Sequence, residues 1–308
     1  SASVIVGGRS RFALDGDGAT LQSTPPSSGG TPEARRAERG RVTLKIQGGH
    51  DILVHGLTVR GSLASPSPGQ LPTYDKHFEA QHGITVLGAR SVRITNVIVR
   101  NVRGDFVYIG SRTGPSDGIT VIDSTLENSG RQGISVTDAT NVLVQGNQIG
   151  SIGRSLFDLE PNSRRNVVRN ISIVANITGR ARNFWLADKA PQAMNVGDVT
   201  ISGNVMRDVT GGLIFVFGGG PGTRGPFTIT GNTFLVGNSV SDEGSKGAFL
   251  FAHSAGVTIT GNHATFPPGA AMPAVELRAC AHVTVTGNVF DHAGTTIVAD
   301  AQTHDVTH

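Results

Sequence analysis

Val142-Leu-Val-Gln-Gly-Asn-Gln-Ile-Gly150 decides the fold, because the chain keeps returning to it. The same reading applies to Ile171-Ser-Ile-Val-Ala-Asn176-Ile, to Val199-Thr-Ile-Ser-Gly-Asn204-Val and to Phe227-Thr-Ile-Thr-Gly-Asn232-Thr-Phe. Val257-Thr-Ile-Thr-Gly-Asn262 and Val283-Thr-Val-Thr-Gly-Asn288-Val-Phe complete the set. The six asparagines follow one another at 29, 28, 28, 30 and 26 residues. A period of this size marks a solenoid or a propeller. Each unit alternates β-branched residues with Thr, Ser or Gln and then turns, which describes a short strand with one buried face and a tight bend. No 3.6-residue pattern separates the units, so helical repeats are excluded, and a propeller blade needs about 40 residues or more. What remains is an all-β, right-handed parallel β-helix of about ten coils.

A second strand completes each coil. Gly83-Ile-Thr-Val, Asp105-Phe-Val-Tyr-Ile, Gly133-Ile-Ser-Val and Phe157-Asp-Leu-Glu lie between the Gly-Asn units. Phe184-Trp-Leu, Leu213-Ile-Phe-Val, Ala248-Phe-Leu-Phe and Ala274-Val-Glu-Leu follow. Stacked in parallel, they place coils ~4.8 Å apart with equivalent residues above one another. The repeated asparagine then forms a ladder, each amide donating to and accepting from its neighbours. Its role is to hold the bends together.

The repeat covers most of the 308 residues, and 42 glycines with few aromatic and charged residues suit a turn-rich stack. One domain over residues 1–308 is expected, with 1–41 an N-terminal cap and mobile loop and 42–300 the coils. A lone cysteine, Cys280, has no disulfide partner in the chain and reads as a small buried apolar residue. No run approaches a membrane span, and a net charge of +3 without arginines interleaved by aromatics speaks against nucleic acid. Ser1 in place of Met, with no signal peptide in view, reads as a mature or trimmed chain. Monomer and trimer both remain open.

In chain order, Phe12-Ala-Leu-Asp-Gly-Asp-Gly-Ala-Thr-Leu21 supplies an opening strand and sharp turn. Residues 22–41 and 61–78 are aperiodic and read as excursions, with further loops at 110–117, 150–156, 188–196, 218–226 and 238–247. Insertions in a solenoid map to particular corners, and function sits on the face they flank.

That face carries the chemistry. With Phe157 and Leu159 inward, Asp158 and Glu160 both face outward. On the preceding coil Ile134 and Val136 point in, leaving Arg131, Gly133 and Ser135 outside. On the coil before, the same alternation puts Phe106 and Tyr108 inside and leaves Arg103, Asp105 and Val107 outside. Stacking sets Gln81, Arg103 and Arg131 near one row and Asp105, Asp158 and Glu160 in or beside the next. Arg154, Asn162 and Arg164 flank the corner after Glu160, and Asn183, Trp185 and Lys189 follow. Trp185 has two readings: a platform for a pyranose ring, or core. Arg-Asp pairs on adjacent coils also have a purely structural reading as exposed salt-bridge ladders, which stabilise little.

Two reactions suit such a face. Hydrolysis of a glycosidic bond needs a protonated acid and a carboxylate to activate water. Outward residues at i and i+2 lie ~6.6–7 Å apart, and those two coils apart ~9.6 Å, both compatible with the ~6.5–9.5 Å of an inverting pair. Asp105, Asp158 and Glu160 are the candidate carboxylates. β-Elimination instead needs a base at C5 and positive charge on the uronate; Arg103, Arg131, Lys189 and His82 are available, with Asp158 and Glu160 to hold Ca²⁺. The hydrolase reading needs no metal or cofactor. The many arginines point to an anionic polysaccharide.

The chain resembles the pectin-lyase-like, right-handed parallel β-helix superfamily over nearly its full length. Its Leu14-Asp-Gly-Asp-Gly-Ala-Thr-Leu21 opening and the Gly-Asn ladder carry the likeness. The resemblance implies a secreted or cell-surface enzyme acting on polysaccharide: a polygalacturonase, a lyase, an epimerase or a tailspike depolymerase. Where polygalacturonases carry Asn-Thr-Asp, Asp-Asp and Gly-His-Gly, this chain has Gly104-Asp-Phe and Gly130-Arg-Gln-Gly. Phe157-Asp-Leu-Glu-Pro-Asn162 echoes the Asp-Pro-His-Glu stretch of alginate epimerases. A non-catalytic carbohydrate-binding solenoid and a structural fibre are the readings from other classes.

Overall fold

Short runs that alternate β-branched and polar residues leave every strand with one face to bury, and stacking coils is how they bury it. The computed structural model describes residues 3–24, 40–188, 195–208, 210–217, 224–237 and 247–308. Three parallel sheets run the length of the molecule. The first holds eleven strands, from Val4–Gly7 through Val107–Gly110, Ile134–Val136, Phe157–Leu159 and Phe184–Asp188 to Thr295–Ala299. The second also holds eleven, from Ser10–Asp15 to His304–Thr307, and the third ten, from Thr20–Gln22 to Val289–Asp291. Each strand pairs with its counterpart one coil on, as Ile134 does with Phe157 and Val142 with Ile171. No helix is present among the described residues.

Coils begin earlier than the sequence led us to expect. Val4–Gly7, Ser10–Asp15 and Thr20–Gln22 form a complete first coil, in register with Leu44–Gln47, His50–His55 and Thr58–Arg60. The assigned cap of 1–41 is therefore a coil followed by an excursion, of which 25–39 lie outside the described residues. At the other end, pairing continues past residue 300 through His304–Thr307.

The Gly-Asn bend works as its chemistry requires. Gly146, Gly203, Gly231, Gly261 and Gly287 have φ between 62° and 67°, in the left-handed region that a side chain disfavours. Each following Asn is buried or nearly so. Asn147 donates its N–H and Nδ2 to Asn176 Oδ1, both at 3.0 Å, and Nδ2 also reaches Val121 O at 2.9 Å. The pattern repeats through Asn204, Asn232, Asn262 and Asn288. It starts at Asn147 because the coil before carries Ser124, whose N–H donates to Asn147 Oδ1 at 3.1 Å.

One bend breaks the rule. Ala175 takes the glycine position at φ 53°. A Cβ there costs roughly 1–2 kcal/mol, partly offset by the entropy a glycine loses on folding. Ala175→Gly is therefore expected to raise the unfolding free energy by about 1 kcal/mol. Urea denaturation at unchanged m-value checks it.

Alternation also fails at one corner, with consequences for the site. Where the first sheet begins, two consecutive residues face inward on each coil: Phe106 with Val107, Leu156 with Phe157, Trp185 with Leu186. Only after this pair does the period of two resume. Tyr108 therefore points outward, in register with Thr85 and Ser135, and Val107 packs inside. The expected orientation of those two residues is reversed. Trp185 resolves the same way: it is fully buried, 4.7 Å from the Phe157 ring and 5.3 Å from Phe234, its Nε1 donating to Thr178 Oγ1 at 3.1 Å. It is core and offers no face to a sugar.

Candidate active site

The outward row of the first sheet runs Tyr108, Ser135, Asp158, Ala187, Phe215 on successive coils. Beside it, where the coil turns into the sheet, Arg131, Arg154 and Asn183 are linked N–H to O along the helix at 2.9 Å. These two columns meet at a cleft lined by Arg131, Gln132, Arg154, Ser155, Asp158, Glu160, Asn183, Phe184, Ala187 and Phe215. Of the residues singled out in the sequence, Arg131, Arg154, Asp158, Glu160 and Asn183 converge there.

Arg131 is the hub. Its Nη1 donates to both oxygens of Asp105, at 3.1 and 2.9 Å, and its Nη2 donates to Glu160 Oε2 at 2.9 Å. Glu79 Oε2 lies 3.8 Å from Nε. Burial works against the guanidinium's charge, but Asp105, Glu160 and Asp158 outweigh it and raise its pKa further. Asp105 is completely buried, and its Oδ1 also accepts the Gln132 N–H at 3.1 Å. The expectation that Asp105 reacts with substrate does not hold: it lies at the corner before the strand, beneath Arg131, and lines no part of the cleft.

The two outward carboxylates have unlike surroundings. Glu160, with 39 % of its side chain exposed, is paired with Arg131. Asp158 is buried and forms no ion pair among the described residues; its hydrogen bond comes from Gln132 Nε2 to Oδ2 at 2.8 Å. Burial first, then the charges of Glu160 and Asp105, push the Asp158 carboxyl well above the usual range, with Arg131 and Arg154 opposing from a distance. It holds a proton where an ordinary Asp does not.

His82 stands behind Asp105. Its Nδ1 accepts the Asp105 N–H at 3.0 Å, which leaves the proton on Nε2, and the ring stacks on Tyr108 at 4.7 Å. Burial drives its pKa down against the attraction of Asp105, so the 3.5 Å approach of Nδ1 to Asp105 Oδ2 joins a neutral ring to a carboxylate and is no ion pair. Gln81 is buried beside it. Neither lines the cleft.

The excursion at 61–78 packs against the coils beside the cleft, with Tyr74 against Arg154. It approaches the coils so closely that a Cβ at Gly153 would meet Gly130 O at 2.2 Å and Pro72 O at 3.1 Å. Arg103 lies over the Phe78 ring at 5.0 Å and donates Nε to Ser62, which takes it out of the Arg131 column where it was expected. Arg154 lies over Tyr74 at 5.0 Å. Tyr74 donates its hydroxyl to Glu79 at 2.6 Å, and burial together with Glu79 raises the phenol pKa.

Asn162 and Arg164 are exposed beyond Pro161 and do not line the cleft. Lys189 lies outside the described residues. Asp188 is buried against Arg224, Nε to Oδ2 at 2.8 Å. Among the described residues no group of three His, Cys, Asp or Glu side chains is placed to hold a metal ion. Asp158 bonds Gln132 and Glu160 bonds the Arg131 guanidinium, so both carboxyls already carry protein donors. Arg131 is taken up by Asp105 and Glu160, with Glu79 Oε2 at 3.8 Å, whereas Arg154 lines the cleft over Tyr74 with no ion pair among the described residues.

Gln132, Ser155, Phe184 and Phe215 were missed. Strict alternation sends Gln132 inward, and a polar side chain aimed at a core of Val and Ile was the available signal. Phe184 and Phe215, stacked at 4.5 Å, sit on the outer face and gave none.

No curated protein matches the sequence. Among solved structures, DFA-IIIase from Arthrobacter chlorophenolicus A6 aligns over 90% of this chain and 69% of its own, with 14% identity and a TM-score of 0.66. The same enzyme in complex with DFA-III aligns over 88% and 68%, at 13% identity and TM-score 0.65. Without its lid it aligns over 86% and 65%, at 13% identity and TM-score 0.62. The chain spans about two thirds of the length of these structures, and the likeness is one of fold. The family profile described as the right-handed β-helix region matches residues 46–264, and the chain belongs to that family.

Proposed function

We propose that the cleft is the active site of a glycoside hydrolase that cleaves an anionic polysaccharide outside the cell. One observation carries the reading: two outward carboxyls, two residues apart on and just past one strand, stand in opposite environments. Asp158, buried without an ion pair among the described residues and held protonated, is the proton donor to the leaving oxygen. Glu160, half-exposed against Arg131, is the carboxylate that activates water. Pairs whose surroundings separate them in this way divide into acid and base. The i, i+2 spacing of ~6.6–7 Å leaves room for a water between them, so the anomeric configuration inverts. Arg131 orients Glu160 and Asp105 anchors Arg131.

A uronate or sulfate needs a guanidinium fork; Arg131 has given both Nη atoms to protein carboxylates, and Arg154, over Tyr74 in the cleft, is the cation left to meet an anionic sugar.

Incubation with neutral and uronic polysaccharides tests this, read by new reducing ends and by absorbance of unsaturated uronate. Reducing ends from a uronic polysaccharide, at a rate that falls as salt rises, are expected. Unsaturated products would establish β-elimination instead, and binding without cleavage would make the cleft a carbohydrate-binding site.

A further inference from the structure

We infer that Gln132 is a positioning residue that confines the acid proton of Asp158 to Oδ1, the oxygen left for substrate. The inference rests on the hydrolase reading for its meaning and on geometry for its content. Gln132 is 5% exposed. Its side-chain amide spans two coils: Oε1 accepts the Ser155 N–H at 2.7 Å, and Nε2 donates to Asp158 Oδ2 at 2.8 Å. Its own N–H is engaged by Asp105 Oδ1.

An amide can ordinarily be turned over, exchanging donor and acceptor. Here it cannot. A backbone N–H only donates, so the end facing Ser155 must be oxygen, and the end facing Asp158 must be NH₂. Asp158 Oδ2 is thereby obliged to accept, and a proton on Oδ2 would meet a donor. The proton is left to Oδ1, which has no hydrogen-bond partner among the described residues. A general acid must present its proton on the oxygen that faces the leaving group, and a fixed amide does this without adding charge. The adjacent pair Arg131-Gln132 thus treats the two carboxyls differently: the cation takes Glu160, the neutral amide takes Asp158.

The test replaces Gln132 by Met and by Glu and follows Asp158 by its carboxyl ¹³C resonance during a pH titration, together with the pH–rate profile. A hydrogen bond given to a carboxylate favours its charged form. Gln132→Met therefore raises the proton affinity of Asp158 about tenfold, and the alkaline limb of activity moves up with it. Gln132→Glu keeps an oxygen for Ser155 but sets a second carboxyl against Oδ2, so the pair shares a proton and one member titrates later still. Loss of stability in either variant with the Asp158 titration and the alkaline limb both unmoved would overturn the inference and leave Gln132 a rung of the helix. The ¹³C titration needs no substrate, so it stands even if no glycan is cleaved, whereas failure of the hydrolase reading appears only in the glycan panel.

Discussion

Asp158→Asn is expected to lower turnover of the cleaved glycan by about 10²–10⁴-fold, the contribution of a general acid, while making the protein more stable at neutral pH. The second half is the less intuitive. Asp158 is buried, and its pKa lies well above the ordinary value because burial and the neighbouring carboxylates oppose its charge. In the unfolded chain it ionises at about pH 4; in the folded protein it keeps its proton beyond that. A group whose folded pKa is raised contributes stability that is complete below the unfolded pKa and is lost as pH rises through the folded one. At neutral pH the wild-type protein has lost that contribution. The asparagine amide copies the protonated form and never ionises, so the variant's advantage grows from about pH 4 upward and vanishes below it. Melting temperatures of both proteins from pH 3 to 8 check this. Parallel curves would mean that Asp158 is ionised in the folded state, and the assignment of acid and base would have to be exchanged.

The alkaline limb of the pH–rate profile has the same origin. Activity falls as pH rises through the Asp158 transition, because the donor is then lost. Asp158→Asn abolishes that limb along with the activity.

The sequence displayed the solenoid openly, since a period repeated over six asparagines and a Gly-Asn bend leave few folds to choose from. The pairing of Asp158 with Glu160 was equally legible, because they alternate with the inward Phe157 and Leu159, Glu160 immediately after the strand. What alternation does not carry is the corner, where two residues in succession face the core. That single departure reversed Tyr108 and Val107, hid Gln132 and moved Asp105 from the surface into the interior. Long side chains set the other limit. Arg103 and Arg131 lie on adjacent coils, yet the excursion draws one onto Phe78 while three carboxylates gather the other. Such choices depend on loops, whose path no local pattern fixes.

Asp105 puts that difference to the test. A carboxylate that reacts with substrate and one that holds the reacting groups in place both lose activity when removed, but only the second should lose stability too. Asp105 has no exposed surface, and it takes two hydrogen bonds from Arg131 and one from the Gln132 N–H. Asp105→Asn leaves the buried guanidinium with an uncharged neighbour and turns an NH₂ toward it. Removing one partner of a buried ion pair costs about 3–5 kcal/mol, and the remaining bond to Glu160 brings the expectation to the lower end, about 3 kcal/mol. Glu160→Gln is the control: its side chain is 39 % exposed, so the lost pair weakens the fold by less than about 1 kcal/mol, while activity falls as far as for Asp158→Asn. Urea denaturation of the two variants therefore separates them, with Asp105→Asn falling in stability and activity together and Glu160→Gln in activity alone. Were Asp105→Asn inactive but as stable as the parent, Arg131 would not depend on it. Asp105 would then belong with Asp158 and Glu160 at the sugar, as the spacing of the sequence alone first placed it.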